Sequence, residues 1–256
     1  MKAILSNRTV GSLLAAALLL TLVVPRAQAA ATILLWPIDP WMASNTNASE
    51  LWIQNQGETP TTMQVRIVRW RQDGGLERYQ QQSDVVASPP IVRIEKGSKQ
   101  LIRLIKQGKI PAGVEQAYRI IVDEIPQPDD PATPKIGLKL QMRYSIPLFV
   151  YGQGMITYAQ GAHHALVDTQ NLSWRVVRAD GKPALEVRNT GNVHVRLSKV
   201  TARQGGQTHQ VADGLLGYVL PHSTRSWPLP AGVTRPAEMK ATINARDSEW
   251  QSSAGN

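Results

Sequence analysis

From Ile136 to Ile146 every second residue is apolar: Ile136, Leu138, Leu140, Met142, Tyr144 and Ile146 alternate with Gly137, Lys139, Gln141, Arg143 and Ser145. Side chains of an extended chain point alternately to opposite faces, so this spelling places all the apolar groups on one face and none on the other. A helix would scatter them around its circumference. At roughly 3.3–3.4 Å per residue the segment would run about 35 Å, longer than most strands. For part of its length such a strand lines a core. Where it stands bare at a sheet edge, it invites pairing with another chain, a second copy included.

The rest of the chain repeats this grammar in shorter pieces. Leu51-Trp52-Ile53-Gln54 leads into the turn Asn55-Gln56-Gly57, and Met63, Val65 and Ile67 then alternate with polar residues up to Trp70. Asp73-Gly74-Gly75 is the next turn, and Ile91–Ile94, 100–105 and 118–125 read as further strands. A Pro-rich loop from Pro126 to Pro134 precedes the long alternating segment. Period-2 alternation with turns at short intervals predicts an antiparallel β-sandwich.

A second sandwich is expected downstream. Leu185-Glu186-Val187-Arg188-Asn189-Thr190-Gly191 echoes Leu51 to Gly57, with Asn and Gly at the same offsets. Further strands are expected around Tyr218-Val219-Leu220, Arg225-Ser226-Trp227 and 240–243. The expectation is all-β: two immunoglobulin-like sandwiches in tandem over 30–152 and 162–256, joined by a linker at 153–161. Gly152-Gln153-Gly154 reads as a flexible hinge between them.

Residues 1–29 are set apart from this fold. Lys2 and Arg8 form a positive start, an apolar stretch runs from Val10 to Val24, and Ala27-Gln28-Ala29 is a small-x-small cleavage site. This is the pattern of a secretory signal peptide. Its removal takes Lys2, Arg8 and Arg26 and no acid, lowering the net charge from +9 to +6. The remaining cations are scattered, with a single Phe and no basic run, which argues against a nucleic-acid partner. The chain has no Cys, so neither a disulfide scaffold nor a thiol nucleophile is available.

Motifs for chemistry are missing. There is no Gly-x-Ser-x-Gly elbow, no phosphate loop and no His-Glu-x-x-His. His163 and His164 are adjacent and would face opposite ways in a strand, so no metal site is expected. His194, His209 and His222 lie far apart and are expected at the surface. Asp123-Glu124 and Asp129-Asp130 sit beside or inside a loop. Most of the seven Trp residues lie in apolar strand contexts and are expected in the core. No catalytic residue and no cofactor is predicted.

Three blocks together resemble one family. Ala87-Ser88-Pro89-Pro90-Ile91-Val92-Arg93-Ile94-Glu95-Lys96-Gly97-Ser98 and onward to Leu104 is similar to the segment at the double proline of PapD-like periplasmic pilus-assembly chaperones. Glu115-Gln116-Ala117-Tyr118 through Glu124-Ile125-Pro126 is similar to the next family block, and the alternating strand follows at the family's spacing. The spelling Arg143-Tyr144-Ser145-Ile146-Pro147 resembles the archaic branch. The resemblance covers most of residues 33–152 and, more loosely, the second half.

The resemblance implies a fold of two sandwiches set at an angle around a cleft, in an L or boomerang shape. It implies a periplasmic chaperone that lends a strand to an incomplete pilus subunit, caps it, and delivers it to an outer-membrane usher. Ile136, Leu138, Leu140 and Met142 would enter the subunit's groove. The family's better-known branch anchors the subunit's terminal carboxylate with a first-strand Arg and a donor-strand Lys. Here the first strand, Ile33-Leu34-Leu35-Trp36-Pro37, has no base, and the Lys position falls on Ser145. Arg119 and Arg143 are the nearest replacements, on strands expected to be antiparallel neighbours. The Ser88–Pro89 or Pro89–Pro90 bond is a candidate for the cis form. A secreted two-domain adhesin or carbohydrate-binding sandwich is the alternative, but it has no need of the alternating strand beside these blocks.

Overall fold

The computed structural model describes residues 33–126, 141–155, 167–244 and 249–253. The expected signal peptide, Ile136, Leu138, Leu140 and most of the expected linker lie outside the described residues. The first half contains β1 (Ile33–Trp36), β2 (Trp41–Met42), β3 (Ala48–Asn55), β4 (Thr61–Asp73), β5 (Leu76–Gln80), β6 (Val85–Ser88), β7 (Ile91–Ile94), β8 (Lys99–Lys106), β9 (Glu115–Ile125) and β10 (Arg143–Tyr151). The second contains β11 (Leu172–Ala179), β12 (Lys182–Asn189), β13 (Val195–Gln204), β14 (Gln207–Val219), β15 (Ser223–Pro228), β16 (Glu238–Ile243) and β17 (Glu249–Ser253). Among the described residues the only helical element is a single 3-10 turn, Thr169–Asn171.

These strands form two sandwiches in tandem, the all-β fold that the alternation predicts. In the first, a sheet ordered β1-β3-β8-β6 faces one ordered β2-β10-β9-β4-β5, with β7 also on β4. In the second, β11-β12-β15 faces β14-β13-β16-β17. Period-2 alternation drives each: along β4, Met63, Val65 and Ile67 are buried inward, meeting Ile53, Ile102, Leu104, Ile120 and Val122. The second core gathers Val187, Leu197, Val200, Val219, Met239 and Trp250. Of the seven Trp, Trp70, Trp174 and Trp250 are buried, while Trp36, Trp41, Trp52 and Trp227 are half-buried.

The Asn-x-Gly echo is a true structural repeat. The Asn55 side-chain carbonyl accepts the Gly57 N–H at 2.9 Å, and its amide donates to Thr59 and Ile94 carbonyls at 2.8 and 3.1 Å. Asn189 accepts the Gly191 N–H at 2.9 Å and donates to Val193 and Val219 carbonyls at 2.8 and 3.2 Å. Both asparagines are buried. Each closes an Asx turn and satisfies a carbonyl on a distant strand, which is why Asn, with acceptor and donor on one short side chain, stands at both places.

The glycine segment expected to be a flexible hinge is instead packed. Gly152 donates its N–H to Val114 at 2.9 Å, and Gly113 donates to Gln153 at 2.9 Å. A Cβ at Gly152 would stand 1.9 Å from the Pro111 carbonyl oxygen, so a close backbone crossing, not freedom of motion, requires glycine there. The Ser88–Pro89 bond is cis, as is Trp36–Pro37.

Candidate functional site

Strand β10 is the outer strand of its sheet over most of its length. On one side it pairs with β9 in an unbroken antiparallel ladder from Arg143↔Asp123 to Tyr151↔Glu115. On the other it meets β2 only at Phe149↔Trp41 and Val150↔Met42. The side from Arg143 to Leu148 has no strand partner among the described residues.

Which backbone groups this edge offers follows from strand geometry. Phe149 donates its N–H outward to Pro40, at 3.4 Å, whereas the Met142 carbonyl accepts from Glu124 of β9, at 3.1 Å. The N–H and C=O of one residue leave a strand on the same side, and successive residues alternate. Arg143, Ser145 and Pro147 therefore turn their backbone groups outward. Pro147 has no N–H to leave unpaired, which explains a proline inside this strand. The free edge presents N–H groups at Arg143 and Ser145 and carbonyls at Arg143, Ser145 and Pro147.

The two faces of β10 do different work. Tyr144, Ile146, Leu148 and Val150 point into or against the first core. Met142 shares their parity and lies just past the end of that core, 42% exposed. Arg143, Ser145, Pro147, Phe149 and Tyr151 occupy the opposite face, and Phe149 and Tyr151 pack with Trp70, Ala117, Tyr218 and Leu220 in a cluster drawn from both sandwiches.

Arg119 and Arg143 lie on that same face, on neighbouring antiparallel strands, but four ladder positions apart. Arg143 stands opposite Asp123 and Arg119 opposite Pro147, a separation of about 13 Å along the strands. Arg143 is exposed, and its Nε bonds Asp123 Oδ1 at 2.5 Å. Asp123 Oδ2 meets Arg66 of β4 at 2.6 Å. Partial burial works against ionisation of Asp123, yet the hydrogen bonds from Arg143 and Arg66 outweigh it and hold the carboxyl below its usual value. Arg119 is deeper. Its guanidinium lies 3.7 Å over Trp70 and 5.6 Å from Tyr218, a cation held between aromatic faces. Burial lowers its pKa, opposed by Glu77, Tyr79 and Tyr218, and a guanidinium remains charged all the same. Tyr79, hydrogen-bonded to Glu77, is pushed up to about 12, chiefly by burial.

Two groups at the junction of the sandwiches escape sequence reasoning. His194, expected at the surface, is buried and bonds Glu115, also buried, at 2.9 Å. The two are 79 residues apart in sequence, so no spacing rule links them. The β4–β5 end also crosses over: the Gln72 amide donates to the Tyr218 carbonyl at 2.9 Å and accepts the Leu220 N–H at 2.8 Å. Between the sandwiches lies a cavity of about 480 Å3 lined by Arg69, Gln72, Glu115, Asn192, Leu220 and His222. His222 meets Asn192 at 2.9 Å, and no cluster of three metal-ligating side chains occurs among the described residues.

Comparison with known proteins adds what geometry alone does not. Residues 41–155 match the family described as pili and flagellar-assembly chaperone, PapD N-terminal domain, and residues 168–245 match pili assembly chaperone PapD, C-terminal domain. The fimbrial chaperone YhcA of Escherichia coli (strain K12) is 22% identical over 175 residues, 67% of each chain. A solved chain of the CsuC–CsuE chaperone–tip adhesion subunit pre-assembly complex, from the archaic chaperone-usher Csu pili of Acinetobacter baumannii, is 32% identical. It aligns over 88% of this chain and 98% of that one with a TM-score of 0.67. A chain of the Salmonella enterica SafA pilin–SafB chaperone complex shares the fold at 16% identity, 89% and 98% coverage and a TM-score of 0.64. With both halves matched in order and the archaic relative aligned across nearly its whole length, this non-enzymatic chain belongs to the PapD-like pilus-assembly chaperones.

Proposed function

We propose that this chaperone acts in the periplasm, holding fimbrial subunits by strand addition along the free edge of β10 and passing them to an outer-membrane usher. The observation that carries the reading is that edge: outward N–H and C=O groups from Arg143 to Pro147, continuing a sequence whose alternate residues are apolar back to Ile136. Main-chain hydrogen bonds to the subunit would extend the sheet, and Ile136, Leu138, Leu140 and Met142 would fill its groove. Burying each such side chain contributes about 1.5–3 kcal/mol before ordering costs. Residues 1–29 would direct export and be removed. The proteins held by SafB and by the Csu chaperone, a pilin and a tip subunit, suggest the class of partner.

The subunit's terminal carboxylate would be held at one of two stations on this face: at Arg119, fixed by its aromatic neighbours, or at Arg143, exchanging Asp123 for the incoming anion. A one-residue slip would turn the apolar side chains out of the groove, so an anchored end also sets register.

The experiment is coexpression with subunits from the same gene neighbourhood, followed by pull-down from periplasm. Leu138→Asp puts a charge into an apolar slot and is expected to abolish recovery of the subunit. Normal recovery would rule out strand addition. Normal recovery with Arg119→Ala and Arg143→Ala, beside failure of Leu138→Asp, would remove only the anchor assignment.

A further inference from the structure

Immediately before the free edge of β10 stands an exposed sulfur. The chain has six Met and no Cys, so thioethers are the oxidisable sulfur it offers. Met42, Met63 and Met239 are 1%, 0% and 1% exposed, and the Met63 sulfur already accepts the Thr61 hydroxyl at 3.7 Å. Met155 is half-buried in the cluster that includes Trp41 and Val193. Met142, at 42%, is the one exposed methionine among the described residues. Its backbone is held: the carbonyl accepts from Glu124 at 3.1 Å, one position before the Arg143↔Asp123 step of the β9–β10 ladder. Its side chain shares the parity of Tyr144, Ile146 and Leu148 but lies past the end of their core.

Access decides which thioether an oxidant reaches first, because the reagent must meet the sulfur lone pair. A hydroperoxide transfers one oxygen atom. The lone pair forms the S–O bond, the O–O bond breaks, and the departing hydroxide takes the proton of the transferred oxygen and leaves as water. Sulfur loses two electrons and the peroxide gains them. The product, methionine sulfoxide, turns a flexible apolar side chain into a polar, chiral one. At an exposed position water solvates the new oxygen and the fold is undisturbed. In a dry apolar groove the same oxygen loses that water, which is costly.

We propose that Met142 is a redox modification site: a hydroperoxide converts its thioether to the sulfoxide in the unloaded chaperone, and the modified chain captures subunits poorly. A methionine sulfoxide reductase reverses the change, removing the oxygen as water while a dithiol becomes a disulfide. A captured subunit covers the same sulfur, so the loaded chaperone is spared. The effect on capture rests on the strand-addition reading given above.

The test uses the whole exported chain, purified free of subunit. Dilute hydrogen peroxide is applied, catalase ends the exposure, and peptide mass mapping follows each Met. Met142 is expected to gain its oxygen at least about tenfold faster than Met42, Met63 or Met239. Treated chaperone is then mixed with an unfolded subunit from the same gene neighbourhood that has met no oxidant, and the complex is measured by size exclusion. Its yield should fall about fivefold or more, while the far-ultraviolet circular dichroism stays that of a β protein. In Met142→Leu, compared with its own untreated sample, that fall should vanish. Reductases for both sulfoxide epimers, with a dithiol, should restore the wild-type yield. In preformed complex Met142 should oxidise at least about tenfold more slowly. Slower oxidation of Met142 than of Met155 or a core methionine overturns the proposal. So do an unchanged yield after full oxidation of Met142, an equal fall in Met142→Leu, and equal oxidation rates with and without bound subunit. Loss of the β spectrum on treatment also overturns it, since the damage then lies in the core. Failure of the strand-addition reading is separable: it appears as normal recovery with Ser145→Pro in the absence of peroxide.

Discussion

Asp123 holds two cations on the cleft face, Arg66 and Arg143, and its carboxyl is kept below the ordinary range by their hydrogen bonds despite partial burial. The folded chain therefore binds this proton less tightly than the unfolded chain. Ionised Asp123 favours folding above the unfolded value near about 3.9, and that contribution fades as pH falls through the lower, folded value. Asp123→Asn should lower the melting temperature at neutral pH, and its gap from wild type should narrow as pH falls below the ordinary carboxylate value of about 4; melts from neutral into the acid range check it. The buried asparagines make a larger case. Asn55→Ala or Asn189→Ala strands an N–H and two carbonyls that the side chain now satisfies. With about 1–3 kcal/mol for a group left buried and unpaired, each is expected to destabilise by about 3 kcal/mol. Urea unfolding midpoints measure this, with similar losses from both because the two turns are built alike.

For the strands, the informative element is β10. Its inner side is committed to β9 and its outer side is open from Arg143 to Leu148 among the described residues. Ser145→Pro removes an outward N–H without touching the β9 ladder, and an edge tolerates proline where a central strand does not. The variant should fold as wild type and recover less subunit, which pull-down and circular dichroism test together. The far end of the strand behaves differently. Gly152→Ala would drive a Cβ into the Pro111 carbonyl, where backbone must shift and no flexible side-chain tip can give way. A loss of about 1–3 kcal/mol is expected, the range for overpacking, again read by urea unfolding.

For the whole molecule, the junction joins two cores into one body. Trp70 is buried between them, against Phe149 and Tyr218 and beneath Arg119. Trp70→Ala is expected to cost about 3–5 kcal/mol. Because the side chain serves both sandwiches, calorimetry is expected to show one transition for the wild type and two for the variant. Retention of one transition would mean that the remaining contacts, among them Gln72, Glu115–His194 and Arg225 on the Gly75 carbonyl, couple the sandwiches without Trp70.

The alternation of apolar residues and the two Asn-x-Gly turns were enough to specify strands, tandem sandwiches and the repeat between them, because period and turn chemistry are local. The blocks around Pro89-Pro90 and Glu124-Ile125-Pro126 were enough to point to the family. Chain order, with the Pro-rich loop between them, also put Arg119 and Arg143 on neighbouring antiparallel strands. Register was not legible: that Arg143 stands opposite Asp123 and Arg119 four positions away is set by the length of the ladder, which no residue spells out. Nor was the meeting of Glu115 with His194, whose burial depends on how one sandwich lies against the other. Gly152 looked like freedom in the sequence and proved to be a crossing, since a missing side chain serves motion and close packing equally well. Local spelling chose the elements; long-range packing chose which of their faces meet, and the cleft is made of those meetings.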